Sequence, residues 1–243
     1  MNKSIIAESS SLCWHITETI IPHVRCLFLW GPAGTGKTFG AQRIGLKPDQ
    51  SQVTVTMTNE TSAADLLGYY INTPDGYKWQ DGPATYAWRT GARLVVNEID
   101  HASGDAQAAL FSICDDSDSA YIRLASGEVI TPHANFSCIA TSNSTPEDAL
   151  ATEGMLSRFN MRVNITEPHP DAVARFPEAA RNAILALVNH PDPTVRVSLR
   201  SFRTYYDLLA KLGTDNATKI AHAVFGEERA QSVVDSLRIA SVA

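Results

Sequence analysis

The string GPAGTGKT at residues 31–38 constrains the fold more than any other part of this sequence. A glycine, four residues and then Gly-Lys-Thr is the spacing of a phosphate-binding loop. Its glycines let backbone N–H groups point inward at phosphate oxygens, and the following helix adds the positive end of its dipole. Residues 24–30 predict a short buried strand before the loop, and residues 39–44 predict a helix after it. The predicted phosphate-binding residues are Gly31, Pro32, Ala33, Gly34, Thr35, Gly36, Lys37 and Thr38.

Two side chains of this loop carry specific chemistry. Lys37 is expected to reach the β and γ phosphates of a nucleotide, and the Thr38 hydroxyl is expected to ligate Mg²⁺. The plainer alternative is a glycine-rich turn with an exposed lysine. The strand before the loop and the helix after it favour the phosphate site, because strand, loop and helix is the context that the motif requires.

Composition sets further limits. Hydrophobic residues make up 44% of the 243 residues, which is enough for a packed core. A net charge of −6 argues against a surface built mainly to hold nucleic acid. No segment resembles a membrane span or a signal peptide, so we expect no membrane association. The four cysteines are scattered without metal-ligand spacing, which indicates reduced, buried thiols in a cytoplasmic protein.

Strands and helices alternate along the first two thirds of the chain. Further strands are predicted at 52–57, 93–96 and 135–140, and hairpins at 69–82 and 121–130. Helices are predicted at 83–89 and 104–114, and Ser62 to Asp65 resembles a capping box. This alternation predicts an α/β fold with a parallel sheet. Ligands of such sheets bind at the carboxyl ends of the strands, where Asn97, Glu98 and Asn143 fall.

The composition and the periodicity of the sequence change near residue 168. Prolines cluster there, and only helical periodicity follows, with helices predicted at 201–212, 215–225 and 227–240. A helix is also predicted at 4–20, ahead of the first strand. We therefore predict an α/β nucleotide-binding domain over 1–167 and a small all-α domain over 168–243.

Taken together, these strings resemble the AAA+ ATPases, and specifically their MoxR and dynein-related branch. The strings occur in the order typical of the family and cover most of residues 25–205. After GPAGTGKT come ADLLGYY at 64–70, DGPATYAWRTGARLVVNEID at 81–100, AALFSICDD at 108–116, FSCIATSN at 136–143, LSRF at 156–159 and SLRSF at 198–202. The resemblance implies a P-loop core with a helical lid, and it identifies the hairpin at 69–82 as the branch's insertion in its second helix.

The resemblance also implies roles for individual residues. Glu98, just past a buried strand, would orient and polarise the attacking water. Asn143 would act as sensor 1, because an amide can contact phosphate and water together. Arg158 would be the arginine finger, delivered to the neighbouring subunit's nucleotide. Arg200 would act as sensor 2 in the lid, and Arg203, on the same helix face, is the alternative.

One residue departs from the family pattern. The strand usually ends in Asp-Glu, and here it ends in Asn97-Glu98. The missing aspartate normally holds Mg²⁺ through water. Asn97 can still accept a hydrogen bond from such a water, but it contributes no charge. Mg²⁺ affinity and turnover are therefore the properties that this departure affects.

By resemblance, the chain is expected to hydrolyse ATP with Mg²⁺ in a homo-oligomeric ring, most often a hexamer, and to remodel a partner protein or complex. A von Willebrand factor A-domain protein is among the partners that the family suggests. Tyr77, Lys78 and Trp79 either contact a substrate in the ring's centre or pack on their own domain. Two alternatives remain open: a McrB-like nucleic-acid motor that could use GTP, and a nucleotide-binding scaffold without catalysis.

Overall fold

The computed structural model describes residues 12–150, 152–192 and 194–242. The chain forms two compact units. The sheet unit consists of residues 16–31 and 40–164, and the described part of the helical unit consists of residues 12–15, 32–39 and 165–242. The division into domains at 1–167 and 168–243 stays a prediction.

Within the described residues of the sheet unit, five strands form one parallel sheet in the order β2-β5-β8-β1-β9. They are β1 (Cys26–Trp30), β2 (Gln52–Thr56), β5 (Arg93–Asn97), β8 (Ser137–Ser142) and β9 (Met161–Asn164). The central strands β1, β5 and β8 are almost entirely buried, as continuous apolar runs covered on both faces require. The predicted α/β fold with a parallel sheet is confirmed.

The sheet register brings several chain segments to one edge. Trp30 at the end of β1 pairs with Ser142 at the end of β8, and Thr56 at the end of β2 pairs with Asn97 at the end of β5. Since all of these strands are parallel, the residues that follow them leave the sheet at the same edge. Gly31, Glu98 and Asn143 are such residues.

Helices and hairpins complete the sheet unit. The predicted capping box is present, because Ser62 Oγ accepts from the Asp65 N–H at 3.2 Å while the Asp65 carboxylate accepts from the Ser62 N–H at 2.8 Å. The bond from the Ser62 N–H, together with one of 2.7 Å that the Ser62 hydroxyl donates to the same carboxylate, lowers the pKa of Asp65. The α-helices that lie wholly or mainly in this unit are α1 (Leu12–Ile20), α2 (Lys37–Arg43), α3 (Ala63–Leu67), α4 (Pro83–Thr90), α5 (Gly104–Ile113), α6 (Pro146–Ala149) and α7 (Glu153–Arg158). The predicted helix at 4–20 is described only from Leu12 onward, and residues 4–11 lie outside the described part.

Two antiparallel hairpins occur where the sequence predicts them. They are β3–β4 (Gly68–Thr73 and Gly76–Asp81) and β6–β7 (Ile122–Arg123 and Val129–Ile130). In the first hairpin, the Trp79 ring lies edge-on to Tyr70, and its Nε1 donates to Asp81 at 2.7 Å. Trp79 also packs against the core of the unit, whereas Tyr77 is 80% exposed and Lys78 is exposed. Trp79 therefore packs on its own domain, which is one of the two interpretations of this segment. Tyr77 and Lys78 are accessible, so contact with a substrate, the other interpretation, stays a prediction for them.

The helical unit has its own apolar core. Phe202 and Ile184 are fully buried within it, and the Phe202 ring contacts those of Phe176 and Phe225. Each large apolar side chain buried in this way contributes about 1.5–3 kcal/mol to folding. Its α-helices are α8 (Pro170–Val173), α9 (Arg181–Val188), α10 (Leu199–Leu212), α11 (Ala217–Phe225) and α12 (Glu227–Val242).

All four cysteines are buried, as predicted, and none of them forms a disulfide. Three belong to the sheet core, where Cys114 Sγ lies 3.7 Å from Cys138 Sγ, and Cys26 Sγ lies 3.5 Å from the Cys114 carbonyl oxygen. Hydrogen bonding to Cys138 and to Cys26, together with burial, raises the pKa of the Cys114 thiol. None of the described helices is both long and apolar enough to cross a membrane.

Candidate nucleotide-binding site

The predicted phosphate-binding loop follows β1 directly, and α2 begins at Lys37. Gly34 and Gly36 adopt φ angles of 82° and 89°, a region that side chains with a Cβ rarely enter. The Thr35 hydroxyl donates to the Pro32 carbonyl at 3.0 Å, which closes the loop on itself. A loop with this backbone ahead of a helix N-terminus suits an anion.

The Lys37 side chain lies inside the loop rather than in solvent. It is 7% exposed, and its Nζ donates to the Pro32 carbonyl oxygen at 2.8 Å. The positive charge is therefore held beside the loop's own backbone. This placement differs from the plainer alternative, which was a glycine-rich turn with an exposed lysine.

Residues of the helical unit pack closely around the loop. A Cβ on Gly34 would lie 2.6 Å from Ser198 Cβ, and Ser198 caps the N-terminus of α10. The space beside Gly34 is therefore already occupied, and only glycine fits there. Arg200 lies on the first turn of α10 and is exposed, and its sensor 2 role stays a prediction. Arg203 is exposed too, and its Nε lies 3.7 Å from the Asp207 carboxylate.

His169 is a neighbour of the loop that the sequence analysis did not single out. Its backbone N–H donates to the Thr35 carbonyl at 3.3 Å, and its Cβ lies 3.7 Å from the position of a Cβ on Gly36. The buried imidazole lies edge-on to Trp14 at 4.8 Å and to Phe39 at 5.4 Å. A single histidine before a proline carries no sequence signal for this, because the contacts join distant parts of the chain.

At the carboxyl edge of the sheet, Asn97 ends β5 and is 9% exposed. Its Oδ1 accepts a hydrogen bond from Thr141 Oγ1 on the adjacent strand at 3.2 Å. Its backbone carbonyl accepts from the Met57 N–H at 2.9 Å. The amide is therefore fixed in place between two strand ends, and a carboxylate at this position could accept the same bond from Thr141.

Glu98 has an unusual backbone. With φ 53° and ψ 48° it occupies the left-handed region, and no other described residue except glycines has positive φ. This conformation costs on the order of 1–2 kcal/mol for a residue with a Cβ, and such strain clusters at functional sites. The side chain is exposed. The turn therefore presents a carboxylate to solvent at the edge where Gly31 and Asn143 also leave the sheet.

A second acid, Asp100, joins this turn to the Asn143 loop. Its Oδ2 accepts from Ser144 Oγ at 2.9 Å, and the Ser144 N–H donates to Ser142 Oγ at 2.8 Å. Asp100 Oδ1 is buried and has no hydrogen-bond partner within the part of the chain that the structure describes. The exposed Asn143 thus lies in a loop that Asp100 restrains. The sequence analysis quoted Asp100 only as part of a motif and assigned it no role.

Arg158, the predicted arginine finger, ends α7 and contacts α5 and the residues after it. Its guanidinium lies 4.4 Å from the centre of the Phe111 ring and 3.3 Å from the Asp115 carboxylate. Its side chain is 25% exposed. The hydrogen bond from the Ser117 N–H, and to a lesser degree the charges of Arg158 and Arg25, lower the pKa of Asp115.

A scan against family models matches residues 26–159 to the AAA domain of the dynein-related subfamily. That match spans more than half of the chain and contains the phosphate-binding loop, Glu98, Asn143 and Arg158. The chain belongs to this family. The predicted assignment to the MoxR and dynein-related branch of the AAA+ ATPases is therefore confirmed, and with it nucleotide binding as the property of this AAA domain.

Individual relatives agree with the family match. The denitrification regulatory protein NirQ of Pseudomonas aeruginosa is 32% identical over 48% of this chain and 45% of its own length. The protein NorQ of Paracoccus denitrificans is 30% identical over 67% of this chain and 62% of its own. The gas vesicle ATPase GvpN of Haloferax mediterranei is 29% identical over 52% of this chain and 44% of its own. The chain spans about half the length of most of these curated relatives.

A solved structure supports the fold alone. NtrX from Brucella abortus superimposes with a TM-score of 0.56 at 16% identity, over 98% of this chain and 49% of that one. At this level of identity the likeness extends to architecture and not to function.

The metal chemistry that the site can support follows from its donors. Within the described residues no three His, Cys, Asp or Glu side chains form a group that could hold a metal ion. Mg²⁺ is usually held by one or two protein ligands together with substrate phosphates and water. The Thr38 hydroxyl and the Asn97 amide each offer an oxygen donor of the kind that Mg²⁺ prefers.

Proposed function

We propose that this chain is a MoxR-like AAA+ ATPase that hydrolyses ATP with Mg²⁺. The observation that carries the proposal is that β1, which leads into a complete phosphate-binding loop, and β5, which leads into the left-handed Glu98, are parallel strands of one sheet. Family membership supports it, and so does the relative GvpN, which is named an ATPase.

Each residue has a distinct part in the proposed reaction. The Lys37 ammonium leaves the Pro32 carbonyl to bind the β and γ phosphates, and backbone N–H groups of the loop bind phosphate oxygens. The Thr38 hydroxyl and the Asn97 amide would hold Mg²⁺, which supplies charge neutralisation on the phosphates. The Glu98 carboxylate orients the attacking water and accepts its proton. Asn143, on the loop that Asp100 restrains, contacts both the γ phosphate and that water.

Completion of the site requires a second copy of the chain. We assign Arg158 to the neighbouring subunit's nucleotide, where its guanidinium stabilises charge during phosphoryl transfer. Its contacts with Phe111 and Asp115 keep the guanidinium at a fixed place on the subunit surface. Arg200 closes over the nucleotide from the lid of its own subunit. A homo-oligomeric ring, most often hexameric in this family, supplies such neighbours in every site.

The work of the ring, in this proposal, is to remodel a separate protein or complex, and a von Willebrand factor A-domain protein is one candidate partner. Tyr77 and Lys78, exposed on the β3–β4 hairpin, are the residues best able to contact it. The reduced state of the four buried cysteines supports a cytoplasmic site of action.

A turnover assay separates this function from the two alternatives. Phosphate release is measured with ATP and with GTP, with and without double-stranded DNA, in the presence of Mg²⁺. The proposal expects ATP hydrolysis that is independent of DNA and is lost in Lys37→Ala and Glu98→Gln. Preference for GTP together with stimulation by DNA would favour the nucleic-acid motor. Tight ATP binding without turnover would favour the scaffold.

A further inference from the structure

A cavity of about 220 Å³ opens at the amino edge of the sheet, the edge opposite to Glu98. It lies within the sheet unit, where β1, β5 and β8 begin. Positively charged or ionisable bases line it, namely His23, Arg25, Lys47 and Arg93, and no Asp or Glu is among its lining residues. A cavity lined by charge of one sign concentrates counter-ions of the other. No part of the proposed ATPase reaction uses it.

Arg93 is the most unusual of these residues, because it is 1% exposed at the start of a central strand. Its Nη1 donates to the carbonyls of Ala41 at 3.1 Å and Ile44 at 2.6 Å, and its Nε lies 3.5 Å from Ser137 Oγ. Burial lowers the pKa of Arg93 to about 10. The guanidinium is therefore still charged at neutral pH, and the ion pairs among the described residues do not include it.

The remaining nitrogen of Arg93 is placed to receive a ligand. Within the described residues, Nη2 donates to no acceptor, whereas Nη1 has two acceptors and Nε has one. Nη2 lies 3.9 Å from the position that a Cβ on Gly45 would occupy, and Gly45 lines the cavity. Gly45 has φ 59°, and its Cβ would also come within 2.6 Å of Ile21. Ile21 already occupies the space beside Gly45, so only glycine fits there, in the cavity wall next to Nη2.

Lys47 and Arg25, the other two permanently charged side chains that line the cavity, each donate a hydrogen bond to a neutral oxygen. Lys47 Nζ donates to Asn135 Oδ1 at 2.8 Å, and Arg25 Nη1 donates to the Asp115 carbonyl oxygen at 3.0 Å. The Asp115 carboxylate balances part of the Arg25 charge, since Arg25 contributes to the lowered pKa of Asp115. Lys47 has no such acid partner among the described residues, so Lys47 and Arg93 provide most of the uncompensated charge.

We propose that this cavity binds a small oxyanion, either inorganic phosphate or the phosphate group of a small metabolite, between the Arg93 and Lys47 side chains. A planar guanidinium and an ammonium are the groups that bind such anions most strongly. The volume is below the roughly 300 Å³ at which drug-sized ligand pockets begin, which favours a small ion. Arg93 also binds carbonyls at the end of the P-loop helix, so the anion and that helix share one side chain.

The test uses the full chain carrying Lys37→Ala, which disables the P-loop as a competing phosphate site. Inorganic phosphate is titrated calorimetrically at constant ionic strength, with sodium chloride as the blank and glycerol 3-phosphate as the second arm. Saturable binding is expected, and Lys47→Gln in this background should weaken it about fivefold through the loss of one nearby charge. The tighter of the two arms identifies the free ion or the phosphate ester as the ligand.

Lys211→Gln in the same background is the matched control, because it removes the same charge from α10, outside the cavity. It should leave the phosphate affinity unchanged. The absence of saturable binding of either probe would overturn the proposal. Equal affinities of the Lys47→Gln and Lys211→Gln proteins would do so too, since the anion would then bind elsewhere. Neither readout depends on ATP turnover, so failure here leaves the proposed ATPase function untouched.

Discussion

The guanidinium of Arg89 donates two parallel hydrogen bonds to the Glu128 carboxylate, each 2.7 Å long. Its Nε donates a third, also 2.7 Å, to Asp81. Asp81 ends the β3–β4 hairpin and Glu128 precedes β7, so one side chain on α4 ties both hairpins to the sheet unit. The β6–β7 hairpin leads into β8, the strand that ends beside Asn143. Arg89 thus links the exposed β3–β4 hairpin to the hairpin that precedes β8.

We predict that Glu128→Gln destabilises the chain fully above about pH 5 and progressively less as the pH falls below that. The hydrogen bonds from Arg89 lower the pKa of Glu128 in the folded state. Its contribution to the free energy of unfolding is thus present above the unfolded-state pKa and disappears as the pH falls through the lower folded-state pKa. Urea unfolding of both proteins over a pH series from about 2 to about 7, which covers both pKa values, gives the difference. Glu60→Gln, which removes an exposed glutamate outside the ion pairs of the described residues, should show no such pH-dependent difference.

Asn97→Asp should lower the Mg²⁺ concentration required for half-maximal ATP turnover by about fivefold, since it adds a negative charge beside the metal. The new carboxylate can keep the bond from Thr141. Without Mg²⁺ the same variant should melt at a lower temperature than the parent, because an unpaired carboxylate is buried there. Turnover and melting curves over a Mg²⁺ series provide both readouts. An unchanged Mg²⁺ requirement would mean that Asn97 is remote from the metal.

Glu98→Gly should stabilise the chain by about 1 kcal/mol while abolishing ATP turnover. Glycine adopts the left-handed backbone of residue 98 without strain, but it removes the carboxylate. Glu98→Gln is the matched control, since it loses the carboxylate and keeps the strain. Urea midpoints with unchanged slopes measure the effect. If both variants were equally stable, the backbone of Glu98 would not be storing strain.

Arg158→Ala should bind ATP normally and lose turnover on the order of a thousand-fold. Because the guanidinium is proposed to act on the neighbouring subunit, mixing this variant with Glu98→Gln should restore some activity at interfaces that combine an intact Glu98 with an intact Arg158. Light scattering confirms that mixed oligomers form, and phosphate release reports rescue. Mixed oligomers that stay inactive would transfer the role to another interface arginine, with Arg162 as the first candidate.

The parts of the fold that local sequence determines were predictable. Continuous apolar runs identified β1, β5 and β8, and the Ser62–Asp65 spacing identified a capping box, because these features need only neighbours in sequence. Strand β9 was missed. Its four residues are mostly exposed or half-buried, and its place beside β1 depends on pairing with a strand more than a hundred residues earlier.

The candidate site could be predicted from the sequence to a similarly limited extent. The motif predicted the phosphate-binding loop, but not that Lys37 turns onto Pro32, nor that His169 and Ser198 pack against the loop glycines. Likewise, Arg93 was predicted only as the first residue of a strand, and its contacts with the carbonyls of Ala41 and Ile44 appear only in the tertiary structure. Such features arise from contacts between distant segments, for which a single sequence carries no periodic or spacing signal.

The three thiols of the sheet core can report the rate at which this chain unfolds. Alkylating reagents attack thiolates, and burial together with the raised pKa of Cys114 keeps that thiol both shielded and protonated. Cys26 and Cys138 lie on β1 and β8, and Cys114 directly follows α5, so labelling of all three requires the layers of the core to part. The rate at which these three cysteines are alkylated therefore measures the rate at which the sheet core opens. No probe group has to be introduced into the protein for this measurement.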